Sequence, residues 1–505
     1  MTNKYPIVTG NIVNSIGTGQ NPTYKTLIIG QSNSANITTG ELQTEVNNDK
    51  NAIKLKYGAT QHITQGILAY RDINSLSRLD AIAINDNGAG ASATATITFT
   101  GASTANGTLQ IAIDSKYDKI VNIPIANLDT VTAVATSMVT AITALTNATV
   151  TAGNVAGVVT ITAVNKGTIG NEIGIEVINS VAGITTAITA MSGGATDPVI
   201  TSLLDVIEDK RYRFIIAPSY MKTAIITELN NRYNVTNDVL DGVLVTRITD
   251  TVVNLSTALD LLDTLSNQQI CDKLINTSKK KGSHILENSL VVSAVYQAEK
   301  ALLLEQGANI SKFTTNGQSV GGAVMNGYPH FNTPLWRLPV GNFGEGFTKS
   351  EVITLENKNA TLIVNNDTNT SVIEGKAILT LLEDRPEKKL TNQESLRYIR
   401  ETMFYGFKNL FSQSKMTTGT APAGSSIVTK ESFVGNIADF TRGFIELGIL
   451  RSTIEGQDTI KYIKDLAIRT LVFNFATGLI SFDYSAPLVT ALEAISFNVT
   501  ANFNN

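Results

Sequence analysis

Histidines, cysteines and clustered carboxylates are the side chains most often recruited for chemistry, and this chain uses them sparingly. His62, His284 and His330 are its only histidines. They lie far apart and lack the H-x-x-x-H spacing that puts two imidazoles on one helix face. A Ser/His/Asp relay cannot be assembled from histidines so scattered, and His284, just ahead of an apolar stretch, reads as a packing or surface residue. Cys271 is the single cysteine, which excludes an internal disulfide and a zinc site built on paired thiolates. Ser278 and Lys281 spell S-x-x-K, but the companion motifs of that enzyme class are missing. No G-x-x-x-x-G-K-[ST] loop occurs, and residues 341–346 (GNFGEG) miss the G-x-G-x-x-G pattern and follow Pro339 rather than a strand. Glu383, Asp384 and Glu387 sit among Arg385, Lys388 and Lys389, the make-up of a solvated charged loop more than of a carboxylate pair. The expectation is a protein that is not an enzyme and holds no cofactor and no metal.

Composition narrows the choice further. The chain has 505 residues, 43% of them hydrophobic and only 16% charged. Ordinary globular chains carry about 25% charge, so the surface here must be largely neutral and polar. The apolar content suffices to order most of the chain. With 39 basic and 43 acidic residues the net charge is −4, and no basic cluster exceeds Lys279-Lys280-Lys281. No nucleic acid partner is expected. No run of about 18 apolar residues suggests a membrane span, and the opening residues lack the layout of a signal peptide. The sequence therefore reads as a cytoplasmic product, or one released by a route other than ordinary secretion.

Periodicity places the elements. Residues 24–30 (YKTLIIG), 79–84 (LDAIAI), 212–217 (YRFIIA) and 242–248 (GVLVTRI) are short apolar runs that read as buried strands. Helical stretches at 41–57, 65–73, 200–209, 220–233 and 254–265 alternate with them. This pattern argues for a mostly parallel sheet covered by helices. Residues 86–198 differ: 10 of these 113 residues are charged, 20 are Ala, 21 are Thr, and only Phe99 and Tyr117 are aromatic. Alternating runs at 94–100, 109–113, 157–163 and 173–178, with one helical stretch at 129–145, read as a small, mainly β domain inserted in a surface loop, where insertion costs little.

The last third mixes the two types. A helix then a strand are expected across 351–364, and another strand at 376–382. The Thr391-Asn-Gln-Glu394 capping box precedes Leu396, Ile399, Met403, Phe407, Leu410 and Phe411 at helical spacing. Ile437, Phe440, Phe444 and Leu447 mark a second amphipathic helix. At the end, Ile495, Phe497, Val499, Ala501 and Phe503 alternate with polar residues, the pattern of a strand with one apolar face. The opening segment 5–16, with Ile7 and Ile12, also reads as extended. A terminal strand frays unless something pairs with it. It can close the chain's own sheet or add to that of a neighbour by β-augmentation, and the pattern alone does not choose.

The order of these features resembles the tail sheath proteins of contractile-tailed phages, particularly the Mu-like group. The resemblance rests on Pro22–Gln31 (PTYKTLIIGQ), Lys166–Ile173 (KGTIGNEI) in the inserted domain, Arg213–Pro218 (RFIIAP), and the sequence of 374–380, 396–411 and Ser425–Lys430 (SSIVTK). It covers most of the chain. It implies a multidomain α+β fold: an N-terminal arm (1–20), an α/β domain (21–85 plus 199–345), an inserted mainly β domain (86–198), a C-terminal α+β sheath core domain (346–490) and a C-terminal arm (491–505). It implies a homo-oligomer of hexameric rings stacked helically around a tail tube protein, with baseplate and tail terminator proteins as further partners. The subunit would be assembled in the host cytoplasm and belong to the virion tail, without membrane partners. Ile7, Ile12, Ile495, Phe497, Val499 and Phe503 would then lie on arms that link subunits. Lys461, Lys464 and Arg469 are candidates for touching an acidic tube, or an ordinary solvated face. A surface-layer or adhesin-like self-assembling protein is the alternative that the Thr-rich, low-charge segment suggests.

Overall fold

The computed structural model describes residues 7–12, 25–113, 120–207, 210, 212–232, 242–248, 257, 270–276, 288–309, 314–315, 318–319, 350, 354, 361–366, 369–373, 399, 402–403, 406–407, 410, 415–416, 427–446, 449–454, 456–474 and 479–485. The fold is α+β. The chain divides into two compact units, one of residues 24–302 with 329–382, the other of 1–23, 303–328 and 383–505.

An eight-stranded sheet forms the first unit's centre. In spatial order its strands are Asn369–Ile373, Thr361–Asn366, Ile270–Asn276, Val243–Arg247, Phe214–Ile216, Thr26–Gln31, Leu79–Ile84 and Leu42–Gln43. The six inner strands run parallel, and the two outermost strands are antiparallel to their neighbours. Every residue of Thr26–Gln31 and Leu79–Ile84 is buried, because a parallel strand is covered on both faces. Ile28, Ala81 and Ile216 face Ile53, Ile67 and Leu290 of the helices Lys50–Tyr57, His62–Ile73 and Ser289–Asn309. Leu27, Ile29, Ile215 and Leu244 face Leu204, Ile225 and Leu229 of the 3-10 segment Thr201–Ile207 and the helix Lys222–Arg232. The result is three layers with an apolar core on each side of the sheet.

Two expectations need correction. The helix expected from residue 41 starts at Lys50, where the Asp49 carboxylate caps the Asn51 NH at 2.9 Å. Residues before it are drawn to the sheet edge, Leu42–Gln43 pairing with Leu79–Ile84. Residues 361–373, assigned from sequence to a C-terminal domain beginning at 346, belong to the large sheet. The exposed edge of Ile270–Asn276 needs a partner, and Thr361–Ile363 supplies it in parallel register with Leu274–Asn276. The strand expected at 376–382 and most of the helix expected at 254–265 lie outside the described residues.

The inserted segment holds two antiparallel sheets: Ile184–Ile188, Ser92–Gly101, Val158–Lys166 and Val150–Val155 in one, Ile175–Asn179, Gly107–Ile113 and Ile120–Ile125 in the other. Ile97, Phe99 and Ile161 from the first meet Leu109, Ile111 and Ile123 from the second, and Val134 and Met138 of the helix Val131–Thr143 complete the core. Thr130 caps that helix, its hydroxyl accepting from the Ala133 NH. Alternate residues Thr94, Thr96, Thr98 and Thr100 point outward, and Thr96 and Thr189 join hydroxyls at 3.0 Å. Uncharged threonine covers this face because a β-branched polar residue suits a half-buried pleat.

Two carboxylates of this unit stand out. Asp80, fully buried within the strand Leu79–Ile84, takes Lys25 Nζ at 2.6 Å, the Tyr212 hydroxyl at 2.7 Å and the Glu45 NH at 2.9 Å. Glu172, ending the 3-10 turn Thr168–Glu172, accepts the Ser289 NH at 2.6 Å. Burial raises its pKa, against the downward pull of the Ser289 contacts and the charges of Arg247 and Lys222.

Asp80→Ala removes the acceptor shared by the half-buried Lys25 and the buried Tyr212 and is expected to cost about 1–3 kcal/mol, read as a shift in the urea unfolding midpoint. Glu172→Gln tests linkage. A carboxyl whose folded-state pKa is raised loses stability as pH climbs from its unfolded value, about 4.3, to its folded value, and is level above that. The melting temperature of Glu172→Gln relative to wild type is expected to rise across that window and then plateau.

Candidate subunit-linking sheet

The second unit carries a three-stranded antiparallel sheet in the order Ile7–Ile12, Leu479–Ser485, Val472–Asn474. Its middle strand reads LISFDYS, alternating apolar and polar from Ile480. Phe482 and Tyr484 are buried. They look onto the helix Lys430–Glu446, whose Phe433, Val434, Ile437 and Thr441 form one buried face. Phe407 lies at the centre of an aromatic cluster. It stacks on Phe433 at 4.5 Å between centroids and meets Phe440 and Phe482 edge-on at 5.1 and 5.9 Å. Such offset and edge contacts add to the gain from burial. Gly406 permits the approach, since a Cβ there would run into the Phe440 ring.

One polar pair is sealed beneath the sheet. The Thr441 hydroxyl donates to the Ile437 carbonyl at 2.7 Å, so it accepts from the Tyr484 hydroxyl at 3.0 Å. Burial pushes the Tyr484 phenol well above its ordinary range, and the ring stays neutral and a donor. Sequence reading did not identify the strands Val472–Asn474 and Leu479–Ser485. The alternation of 480–484 was the available signal.

The N-terminal strand completes this sheet from the far end of the chain. Ile7 stands opposite Ser485 and Ile12 opposite Ile480, in unbroken register. On the other side Val472 pairs with Ser481 and Asn474 with Leu479. Among the described residues, Phe482–Ser485 therefore has a ladder partner on the N-terminal strand's side alone. Within the single chain, Ile7 and Ile12 thus pair with the chain's own strand. Ile495, Phe497, Val499 and Phe503 lie outside the described residues.

No family model matches the chain, and no curated protein matches it. Among solved structures it is similar to the sheath tail protein of Desulfitobacterium hafniense, at 12% identity and a TM-score of 0.45, over 95% of this chain and 97% of that one. It is also similar to the sheath tail protein Lin1278 of Listeria innocua, at 12% identity and a TM-score of 0.42, over 93% and 96% of the two chains.

The three basic candidates share one helix, Thr459–Thr470, capped by the Asp458 carboxylate on the Lys461 NH at 2.9 Å. Ile463 and Ala467 form its buried side. Lys461, Lys464 and Arg469 are all exposed, and at 100° per residue they fall on one face with Asp465 and Ile468. Arg469 turns back to donate to the Asp465 carbonyl at 3.1 Å. The face is net basic with an exposed isoleucine at its centre, a mixture that the sequence reading, which singled out only the cations, missed. Among the described residues no cluster of metal-ligating side chains occurs, and no helix is long and apolar enough to cross a membrane.

Removing the ring at the centre of the cluster, Phe407→Ala, is expected to cost about 3–5 kcal/mol. Tyr484→Phe is expected to cost about 0.5–1.5 kcal/mol, because Thr441 keeps its bond to Ile437. Denaturant titration of the two variants checks the order.

Proposed function

We propose that this chain is the structural subunit of a contractile tail sheath, polymerising as stacked hexameric rings around a tail tube and contracting to drive the tube through a host envelope. The observation that carries this reading is the sheet at 479–485, whose edge is filled by a strand from the opposite terminus. The order of motifs that resembles the sheath family supports it from the sequence side.

The physical logic is strand exchange. The edge of Leu479–Ser485 binds Ile7–Ile12 through backbone hydrogen bonds, and an identical strand from a second copy satisfies the same groups in the same register. Residues 13–24 separate that strand from the body and reach roughly 40 Å when extended. A subunit that lends its arm forward and accepts one from behind makes a head-to-tail contact, which generates rings and helices. The apolar alternation at Ile495, Phe497, Val499 and Phe503 offers a second arm for the same purpose.

Contraction follows from linked arms and mobile bodies. The extended polymer forms on the tube as a metastable state. A signal from the baseplate releases it, the bodies repack to lower free energy, and the arms keep neighbours joined. The work is stored during assembly, so the subunit needs neither nucleotide nor catalysis. The basic face of Lys461, Lys464 and Arg469 suits an acidic tube surface. The subunit would be assembled in the host cytoplasm and reside in the virion tail, with the tail terminator closing the far end of the stack.

Negative-stain electron microscopy of purified chains tests this. The full chain is expected to form hollow, cross-striated tubes. Deletion of residues 1–20 or 490–505 is expected to leave a folded subunit that no longer polymerises. Flat lattices, or deletion variants that polymerise undiminished, contradict the reading.

A further inference from the structure

The large sheet has a topological switch point. Counted along the chain, its six parallel strands lie in the spatial order 2-1-3-4-5-6, so the chain leaves Thr26–Gln31 toward Leu79–Ile84 and returns to Phe214–Ile216 on the other side. In open α/β sheets the crevice beyond the carboxyl ends of the strands at such a point is where ligands bind. Here that crevice is crossed by the chain's own groups. Gln31, the last residue of its strand, takes the Tyr220 hydroxyl on Oε1 at 3.0 Å and donates from Nε2 to Asp86 at 2.8 Å and to the Lys166 carbonyl at 2.8 Å.

The remaining contacts come from the base of the inserted domain. Asp86 accepts the Lys166 NH at 2.8 Å, Asn165 Nδ2 at 3.1 Å and Asn33 Nδ2 at 2.7 Å. Asn165 also donates to Gln61 Oε1 at 2.9 Å and accepts the His62 NH at 3.0 Å. The turn that follows is pinned by Asp197, which accepts the Thr168 NH and hydroxyl at 2.6 and 2.8 Å. It begins at Gly167 with φ +92°, where a Cβ would lie 2.5 Å from the Asp197 carboxylate. The turn ends at Glu172, whose carboxylate takes the first-turn Ser289 NH of the 21-residue helix Ser289–Asn309, as a bound anion would.

We propose that the base of the inserted domain is the resident ligand of this crevice, and that Asp86 with Gln31 and Asn33, and Glu172 with Ser289, form two anchors that lock the inserted domain and the α/β layers into one rigid body. Two anchors remove the hinge that the connecting segments alone would leave. The inference does not depend on what the assembled chain does. It assigns a role to a motif, Lys166–Ile173, that sequence resemblance singles out without a function.

Pulsed electron–electron distance measurements on the full chain test it. Spin labels go on Leu55→Cys, exposed on the α/β body, and Thr160→Cys, exposed on the inserted sheet, in a Cys271→Ala background. One narrow distance distribution is expected, broadening several-fold in Asp86→Ala/Glu172→Ala while the circular dichroism of the folded chain is retained. A broad distribution in the parent overturns the proposal, as does an unchanged narrow one in the double variant. Should the double variant not fold, hydrogen exchange in the unsubstituted chain decides. Slow exchange of the Ser289 and Lys166 amides is expected, and exchange at unprotected rates overturns the proposal.

Discussion

A strand in the middle of a sheet must be given backbone partners on both edges, because an unpaired ladder is either solvated, capped or taken by another chain. Leu479–Ser485 is such a strand. Among the described residues, its hairpin partner Val472–Asn474 covers Leu479–Ser481 on one side, and residues 7–12 cover Ile480–Ser485 on the other. The pairing is between main-chain groups, so it does not record which copy of the chain supplies the strand. A segment paired through its backbone is a natural unit of exchange. On this account the same interface that closes the isolated chain propagates the polymer, and assembly needs no new contact chemistry.

Exchange of a strand calls for a rigid receptor. The aromatic cluster of Phe407, Phe433, Phe440 and Phe482 and the sealed Tyr484–Thr441 pair fix the strand to the helix beneath it. Burying two side chains of the receiving strand and leaving its edge to an arm divides the work cleanly. Packing sets position and the ladder sets connection. In the other unit, the three-layer core and the polar contacts at the base of the inserted segment would, on the same proposal, keep the body from deforming.

How far the sequence disclosed this depended on whether the signal was local. Residues 26–31, 79–84, 214–216 and 243–247 were legible because strands buried on both faces are apolar throughout. The strands of the segment 86–198 were legible because period-2 alternation survives wherever one face is exposed. Partner choice was not. Thr361–Asn366 looks like any half-buried strand, and nothing in its residues says that it pairs with Ile270–Asn276 across a gap of more than eighty residues rather than opening a new domain. Nothing local marks Asp80, Asp86 and Glu172, since their partners Lys25, Asn165 and Ser289 arrive from distant segments. The candidate site was half legible. Ile7 and Ile12 were placed on a strand, but the strand that receives them went unnoticed, and the cations at 461, 464 and 469 were seen without the Asp465 and Ile468 that share their face.

The central claim, that the strand at 7–12 is traded between copies, is tested most directly by covalent trapping. Thr9 and Asp483 are paired residues in the antiparallel register, at a separation that accepts a disulfide. Thr9→Cys/Asp483→Cys in a Cys271→Ala background is oxidised after polymerisation and resolved on a denaturing, non-reducing gel. The account predicts a ladder of covalent multimers that collapses to one band on reduction. A single monomer band from fully oxidised polymer would mean that each chain keeps its own arm, and would contradict it.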